Sequence, residues 1–265
     1  MNHKSLVVQS AAGVARVTLN RPDVRNAFNA ELIVEITRTF DELGRQGDIR
    51  CIVLAANGPA FCAGADLNWM RSMADYTREQ NLADAAQLAA MMQTIYECPK
   101  PTIACIQGDV YAGGMGLVAA CDMAVSANTA NFCLSEVKLG LLPSTISPYV
   151  IRAMGARAAH RYFLTAEKFT ADEALRIGFV HEVVAPDALN AKVAELTTAL
   201  CNAGPDAVKL AKKLVQDVAG KDITPELIEL TVTSIADVRV SAEGREGLQS
   251  FLQKRKPNWL PTSPI

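Results

Sequence analysis

The first two thirds of the chain alternate short apolar runs with amphipathic segments. Three of the apolar runs are bounded by Gly, Asn or Pro and have the length of a strand. Two of them are continuously apolar, as expected for strands covered on both faces. Between the runs, apolar side chains recur at helical spacing. We predict strands over residues 14–19, 51–55 and 102–106, helices over 31–43 and 82–95, and an α/β layered core that continues to about residue 184.

Beyond Pro186 the pattern changes to helical spacing alone, with no convincing strand. Helices are predicted over residues 190–201, 205–218, 225–238 and 242–253. We therefore expect a core of residues 1–200 followed by a helical C-terminal region of residues 201–265.

Composition narrows the possible functions. Half of the 265 residues are apolar, a fifth are charged, and the net charge is −2. This charge argues against nucleic acid as the main partner. The seven cysteines are odd in number and form no C-x-x-C pair, which predicts neither a disulfide framework nor a zinc site. No secretion signal and no apolar run of the ~20 residues that span a bilayer is present. We expect a cytoplasmic protein without membrane association.

Two segments rich in small residues follow predicted strands. Residues 61–67 (FCAGADL) let a ligand approach free backbone N–H groups, and a tight turn that enters a helix is the alternative explanation. Residues 112–122 (AGGMGLVAACD) open a short apolar helix, whose N-terminus suits a developing negative charge. Close helix packing is the alternative explanation for these glycines.

A third segment, residues 132–143, places one carboxylate, Glu136, among apolar residues. Burial raises the pKa of a glutamate and makes it a better proton shuttle near neutral pH. The alternative is a structural glutamate paired with Lys138 or Arg152. No histidine stands in a recognisable nucleophile motif.

Residues 114–119 also match the dinucleotide pattern G-x-G-x-x-A, with Glu136 at a distance suited to a ribose contact. That match would indicate a nicotinamide-dependent oxidoreductase. The apolar run 123–125 follows too closely to leave room for the long crossover helix, so the context argues against this interpretation.

In this order and spacing, the three segments resemble the enoyl-CoA hydratase/isomerase, or crotonase, family. The resemblance extends from residues 20–22 (NRP) and 26–29 (NAFN) to 243–247 (EGREG) and 251–256 (FLQKRK). It implies a crotonase-like spiral of ββα units with a helical C-terminal trimerisation region, assembled as a homotrimer or dimer of trimers. It also implies an acyl-CoA thioester as substrate, with no separate cofactor and no metal.

Within the family, residues 135–140, 146–149 and 161–167 resemble methylglutaconyl-CoA and isohexenylglutaconyl-CoA hydratases of leucine and acyclic-terpene breakdown. The implied activity is that of a lyase that adds water across the α,β double bond of an enoyl-CoA. The resemblance assigns the thioester oxygen to the backbone N–H groups of Ala65 and Gly113 and the proton relay to Glu136. The implied substrate-binding residues are Arg25, Ala27, Ala63, Asp66, Leu67, Gly114 and Lys254.

The chain departs from the family pattern at two places. Typical family hydratases have a first catalytic glutamate where this chain has Gly116, and many members are glycine-rich where it has residues 144–147 (STIS). We expect Gly116→Glu to leave the fold intact. The pattern with a single catalytic glutamate also resembles that of the mitochondrial-type Δ3,Δ2-enoyl-CoA isomerases, which move a proton without adding water. A non-catalytic RNA-binding scaffold, with residues 254–256 as its basic tract, is a further alternative.

Overall fold

The computed structural model describes residues 4–260, which contain two sheets and surrounding helices. The six-stranded sheet has the order β1-β2-β3-β5-β7-β10, in which β1 is antiparallel and the other neighbours pair in parallel. The four-stranded sheet has the order β4-β6-β8-β9. The strands are β1 (Leu6–Ala11), β2 (Val14–Leu19), β3 (Cys51–Ala56), β4 (Ala60–Cys62), β5 (Thr102–Ile106), β6 (Asp109–Tyr111), β7 (Met123–Ala127), β8 (Asn131–Cys133), β9 (Phe169–Thr170) and β10 (Glu182–Val184).

Helices cover both faces of the larger sheet. They are α1 (Ala30–Arg45), α2 (Leu67–Ala74), α3 (Arg78–Tyr96), α4 (Gly113–Ala120), α5 (Ser147–Thr165), α6 (Ala171–Arg176), α7 (Leu189–Asn202), α8 (Pro205–Val218), α9 (Pro225–Val240) and α10 (Ala242–Leu252). The predicted α/β core, with its strands at 14–19, 51–55 and 102–106, is confirmed.

Alternate residues of β3 face two different hydrophobic clusters. Ile52 and Leu54 belong to the main core, whereas Val53 and Ala55 face a second cluster that includes Val193 of α7. A strand that is covered on both faces has no solvent side on which to place polar residues. This arrangement explains why the run over residues 51–55 is continuously apolar.

Each of three large-sheet strands is followed by a short strand of the smaller sheet and then by a helical segment. The pairs are β3 with β4, β5 with β6, and β7 with β8, and the three short strands lie side by side in parallel. This succession is the ββα repeat that the resemblance implied. The short strands have three residues each, too few for a period of two to be recognised in the sequence.

The last three helices bury few side chains. None of the residues of α8 and α9 is buried, and α10 buries only Ser250. They leave large apolar side chains exposed, among them Val215, Ile228, Val232, Phe251 and Leu252. Between residues 4 and 260, no helix has the length and apolar character needed to cross a membrane.

Candidate active site

The three segments singled out in the sequence follow three neighbouring parallel strands. Strand β4 pairs with β6, and β6 pairs with β8, with Tyr111 opposite Cys133. The chain leaves these strands at the same edge of the sheet, so residues 63–65, 112–113 and 134–136 lie side by side. The carboxyl ends of parallel strands are a common place for ligands in α/β proteins.

Ala65 lies in a loop that is held by Phe28. The Phe28 N–H donates to the Gly64 carbonyl at 2.6 Å, and the Asp66 N–H donates to the Phe28 carbonyl at 2.7 Å. In this strand-like pairing the N–H of Ala65 points away from Phe28. Within residues 4–260 it has no hydrogen-bond acceptor, so it is free to donate to a ligand.

The NRP and NAFN motifs hold this loop through the buried side chain of Asn26. Its Oδ1 accepts from the Arg21 N–H at 2.8 Å, and its Nδ2 donates to the carbonyls of Asn57 and Ala60 at 2.8 and 2.9 Å. Of the predicted binding residues beside it, Ala27 is buried and Arg25 is exposed. The motif thus ties the start of β4 to the segment that positions Ala65.

The carboxylate of Asp66 is engaged inside the protein. It accepts from the Asn68 N–H at 2.8 Å, which caps α2, and from Arg21 Nη2 at 2.9 Å. Burial opposes its ionisation, but these two donors outweigh burial and lower the pKa of Asp66. Its side chain is therefore a structural support for the loop, and Leu67 beside it is exposed.

The second segment enters α4 through a strained residue. Ala112 has φ 47° and ψ −122°, a combination that side chains with a Cβ rarely adopt. Its N–H donates to the Cys133 carbonyl at 2.8 Å. The next N–H, that of Gly113, is one of the unpaired donors at a helix N-terminus, and no described residue accepts from it.

The Ala65 loop and the start of α4 are packed together. A Cβ atom on Gly64 would lie 2.8 Å from the Ala112 Cβ and 3.7 Å from the Gly113 nitrogen. A Cβ on Gly114 would lie 2.8 Å from the Cys62 carbonyl oxygen. The absence of side chains at both glycines lets the two segments approach, so the free N–H groups of Ala65 and Gly113 come from abutting stretches of backbone.

Glu136 begins a 3-10 turn (Glu136–Leu139) just after β8. Its Oε2 atom is buried and has no hydrogen-bond partner among the described residues. Burial raises the pKa of this carboxyl. No ion pair joins it to Lys138 or Arg152 in residues 4–260, and Arg152 instead donates to the Tyr96 hydroxyl at 2.9 Å. A buried carboxyl with an unused oxygen is suited to exchange protons with a ligand.

The packing around residue 116 argues against the expectation that a glutamate there would leave the fold intact. Gly116 is buried, and a Cβ atom there would lie 2.8 Å from the Ile146 Cβ and 2.9 Å from the Met92 Cε. The sequence offered no sign that these residues, distant along the chain, fill this space.

The dinucleotide pattern over residues 114–119 lies inside α4, which ends at Ala120, and β7 begins at Met123. The long crossover helix of a dinucleotide-binding unit is absent there, as expected. Lys254 is exposed just beyond α10, and no described contact joins it to the three segments.

Comparison with known proteins identifies the family. The model of the enoyl-CoA hydratase/isomerase family matches residues 9–261. The chain belongs to this family. Its members act on acyl-CoA thioesters, so the arrangement of Ala65, Gly113 and Glu136 is a candidate site for such a thioester.

Relatives and solved structures agree with this assignment. A probable enoyl-CoA hydratase of Mycobacterium bovis is 32% identical over 98% of this chain and 99% of its own. The crystal structure of an enoyl-CoA hydratase from Shewanella pealeana is 43% identical and covers 97% of this chain and 96% of its own, with a TM-score of 0.94. The structure of an enoyl-CoA hydratase from Mycobacterium smegmatis is 34% identical, covers 96% and 98%, and has a TM-score of 0.91. The crotonase-like fold is confirmed.

Proposed function

We propose that this protein adds water across the α,β double bond of an enoyl-CoA thioester. The observation that carries the proposal is the buried, unpartnered Oε2 of Glu136, which follows β8, the strand paired with β6 that leads to the free Gly113 N–H. Family membership supplies the class of substrate, and the names of the relatives favour hydration.

In the proposed reaction, the thioester oxygen accepts hydrogen bonds from the N–H groups of Ala65 and Gly113. Attack of water on the β carbon moves an electron pair towards this oxygen, which becomes an enolate. Each fixed donor is expected to stabilise that charge by about 3 kcal/mol. Glu136 takes a proton from the attacking water and returns it to the α carbon on the same face, so one carboxyl serves as base and then as acid.

We further propose a branched substrate of the 3-methylglutaconyl-CoA type, which carries a free carboxylate in addition to its thioester. Lys138 is the first candidate to meet this carboxylate, because it is exposed and lies two residues after Glu136. It has no ion-pair partner among the described residues, whereas Arg71 donates to Asn68 Oδ1 at 2.7 Å and Arg152 donates to Tyr96.

The second candidate function is that of a Δ3,Δ2-enoyl-CoA isomerase. It is favoured by the apolar contact of Gly116 with Ile146 and Met92, which leaves no room for a second carboxylate on α4. An isomerase needs one group to move a proton between C2 and C4. The same N–H groups of Ala65 and Gly113 would stabilise its enolate.

The remaining predictions concern the assembly and the surroundings of the protein. We propose a homotrimer or dimer of trimers formed through the exposed apolar side chains of α8 to α10, with Lys254 reaching the phosphates of CoA. We also propose a cytoplasmic enzyme that needs no cofactor beyond the CoA of its substrate. Light scattering at several protein concentrations tests the assembly, and a monomer at every concentration would contradict it.

One assay distinguishes the two reactions. The protein is incubated in ¹⁸O-labelled water with crotonyl-CoA, a 3-enoyl-CoA and 3-methylglutaconyl-CoA, and products are analysed by mass spectrometry. A labelled hydroxyl supports hydration, whereas a shifted double bond without label supports isomerisation. Absence of both products from all three esters would overturn the proposal.

The same panel tests Lys138. Lys138→Met is expected to raise KM for 3-methylglutaconyl-CoA about tenfold and to leave KM for crotonyl-CoA unchanged, since only 3-methylglutaconyl-CoA has a free carboxylate. Lys138→Arg serves as the matched control that keeps the charge. An equal effect of Lys138→Met on both esters would contradict this role.

A further inference from the structure

Gly116 and Ile146 are separated by thirty residues of sequence but contact each other in the fold. Gly116 lies on α4 one turn beyond Gly113, and Ile146 is the N-cap residue of α5. A Cβ atom on residue 116 would lie 2.8 Å from the Ile146 Cβ and closer still to its Cγ2. The chain departs from the family pattern at residue 116 and within residues 144–147, and these two positions therefore contact each other.

Ile146 is held more firmly than the other neighbour of Gly116. Its carbonyl accepts from the N–H groups of Tyr149 and Val150, each at 3.1 Å, so the first turn of α5 is built on it. Its branched side chain has few accessible rotamers and is 2% exposed. Met92 approaches Gly116 with the end of a flexible side chain, which can move more easily. Ile146 is thus the main barrier to a side chain at residue 116.

We infer that Ile146 is a positioning residue that keeps the α4 side of the site apolar, so that Glu136 is the only carboxyl of residues 4–260 that exchanges a proton with the reacting water. The chemical part of the inference, that no second carboxyl takes part in proton transfer, rests on the proposed function. The steric part, that Ile146 blocks a side chain at residue 116, does not depend on that function. An isoleucine side chain neither donates nor accepts a hydrogen bond, so it cannot share the proton transfer with Glu136. Replacing Ile146 by a smaller residue would make room for a glutamate side chain, and thus for a second carboxyl, at residue 116.

The steric part is tested by thermal unfolding of four variants at one protein concentration. Gly116→Glu is expected to lower Tm by at least about 5 °C through overpacking. Gly47→Glu is the matched control, because nothing lies within 4 Å of a Cβ at that position. Its Tm should stay within about 2 °C of the wild type, as for other exposed substitutions.

The double variant decides whether the two positions are coupled. Ile146→Gly alone should also lower Tm, because it removes a buried side chain. The loss in Ile146→Gly/Gly116→Glu should be clearly smaller than the sum of the two single losses. Additive losses, or a Gly116→Glu protein as stable as Gly47→Glu, would overturn the inference.

The chemical part is read from the pH dependence of turnover, measured on whichever product the wild type forms. The wild type should show one ionisation, that of Glu136, whereas the folded double variant should show a second one. An unchanged profile in a folded double variant would contradict the role of Ile146 in proton transfer. If the wild type turned over no enoyl-CoA, the proposed function would fail, while the unfolding cycle would still decide the steric contact.

Discussion

The N–H of Ala112 donates to the carbonyl of Cys133 at 2.8 Å, which joins two of the three segments of the site directly. Gly113 follows the donor, and Glu136 lies three residues after the acceptor. The distance between the candidate oxyanion donor and the candidate base is therefore determined by the pairing of β6 with β8. A site built on paired strands is more precisely positioned than one built on loops.

Ala112, the donor of this hydrogen bond, has a strained backbone conformation. Because of this strain, a glycine at residue 112 should not destabilise the protein as glycine usually does. Ala112→Gly should relieve about 1–3 kcal/mol of strain, which exceeds the usual glycine cost of about 0.5–1 kcal/mol. We expect the free energy of unfolding in urea to stay unchanged or to rise. Ala119→Gly, inside α4, is the control and should lose about 1 kcal/mol. Equal losses in both variants would show that Ala112 is not strained.

The role of Glu136 predicts a separation of turnover from binding. Glu136→Gln keeps the size of the side chain but cannot exchange a proton, so turnover of the best ester should fall at least about 100-fold. Titration calorimetry should show acyl-CoA affinity within about threefold of the wild type. Glu31→Gln, at an exposed position of α1, should leave both quantities unchanged. Turnover near the wild-type level in Glu136→Gln would rule out this residue as the base.

The buried ion pair between Arg21 and Asp66 predicts a large loss of stability. The two side chains are 20% and 7% exposed, and removal of one partner leaves the other charge unpaired. Arg21→Met should therefore lower the free energy of unfolding by about 3 kcal/mol. Arg38→Met breaks the pair with Glu42, in which Arg38 is 68% exposed, and should cost less than about 1 kcal/mol. Urea unfolding at a fixed protein concentration compares the two, and similar losses would contradict the prediction.

The sequence predicts those elements in which an apolar run or a helical spacing extends over at least five residues. The apolar runs at 51–55 and 102–106 and the helical spacing at 82–95 correspond to β3, β5 and α3. The strands β4, β6 and β8 were not predicted, because three residues carry no readable period. Yet these short strands bring Ala65, Gly113 and Glu136 to one edge.

The candidate site was likewise predictable only in part. Small residues pointed to the segments 61–67 and 112–122, and an isolated carboxylate pointed to Glu136. The assignment of the donors to Ala65 and Gly113 within those segments was implied by the resemblance to the family. The contact of Ile146 with Gly116 could not be seen, because it depends on how two distant segments pack. The same is true of Asp66, whose residue type suggests an exposed charge but whose carboxylate is taken up by Arg21 and Asn68.

Burial of Glu136 also predicts how stability depends on pH. Its pKa is raised in the folded protein because burial penalises the charged form. Between the unfolded and the folded pKa, the folded state therefore binds more protons than the unfolded state. The free energy of unfolding must then fall as pH rises through that window. Above it, the protein bears the full cost of an ionised, buried carboxylate.

A glutamine at this position carries no such cost, so Glu136→Gln should be more stable than the wild type at pH 7.5. The advantage should shrink as pH falls and disappear below the unfolded pKa, where both proteins are uncharged at residue 136. Urea unfolding of the two proteins at a series of pH values from 4 to 8, at one protein concentration, measures the difference. A difference that did not change with pH would mean that Glu136 ionises as easily in the folded protein as in the unfolded chain. Its burial would then have no bearing on its capacity to relay a proton.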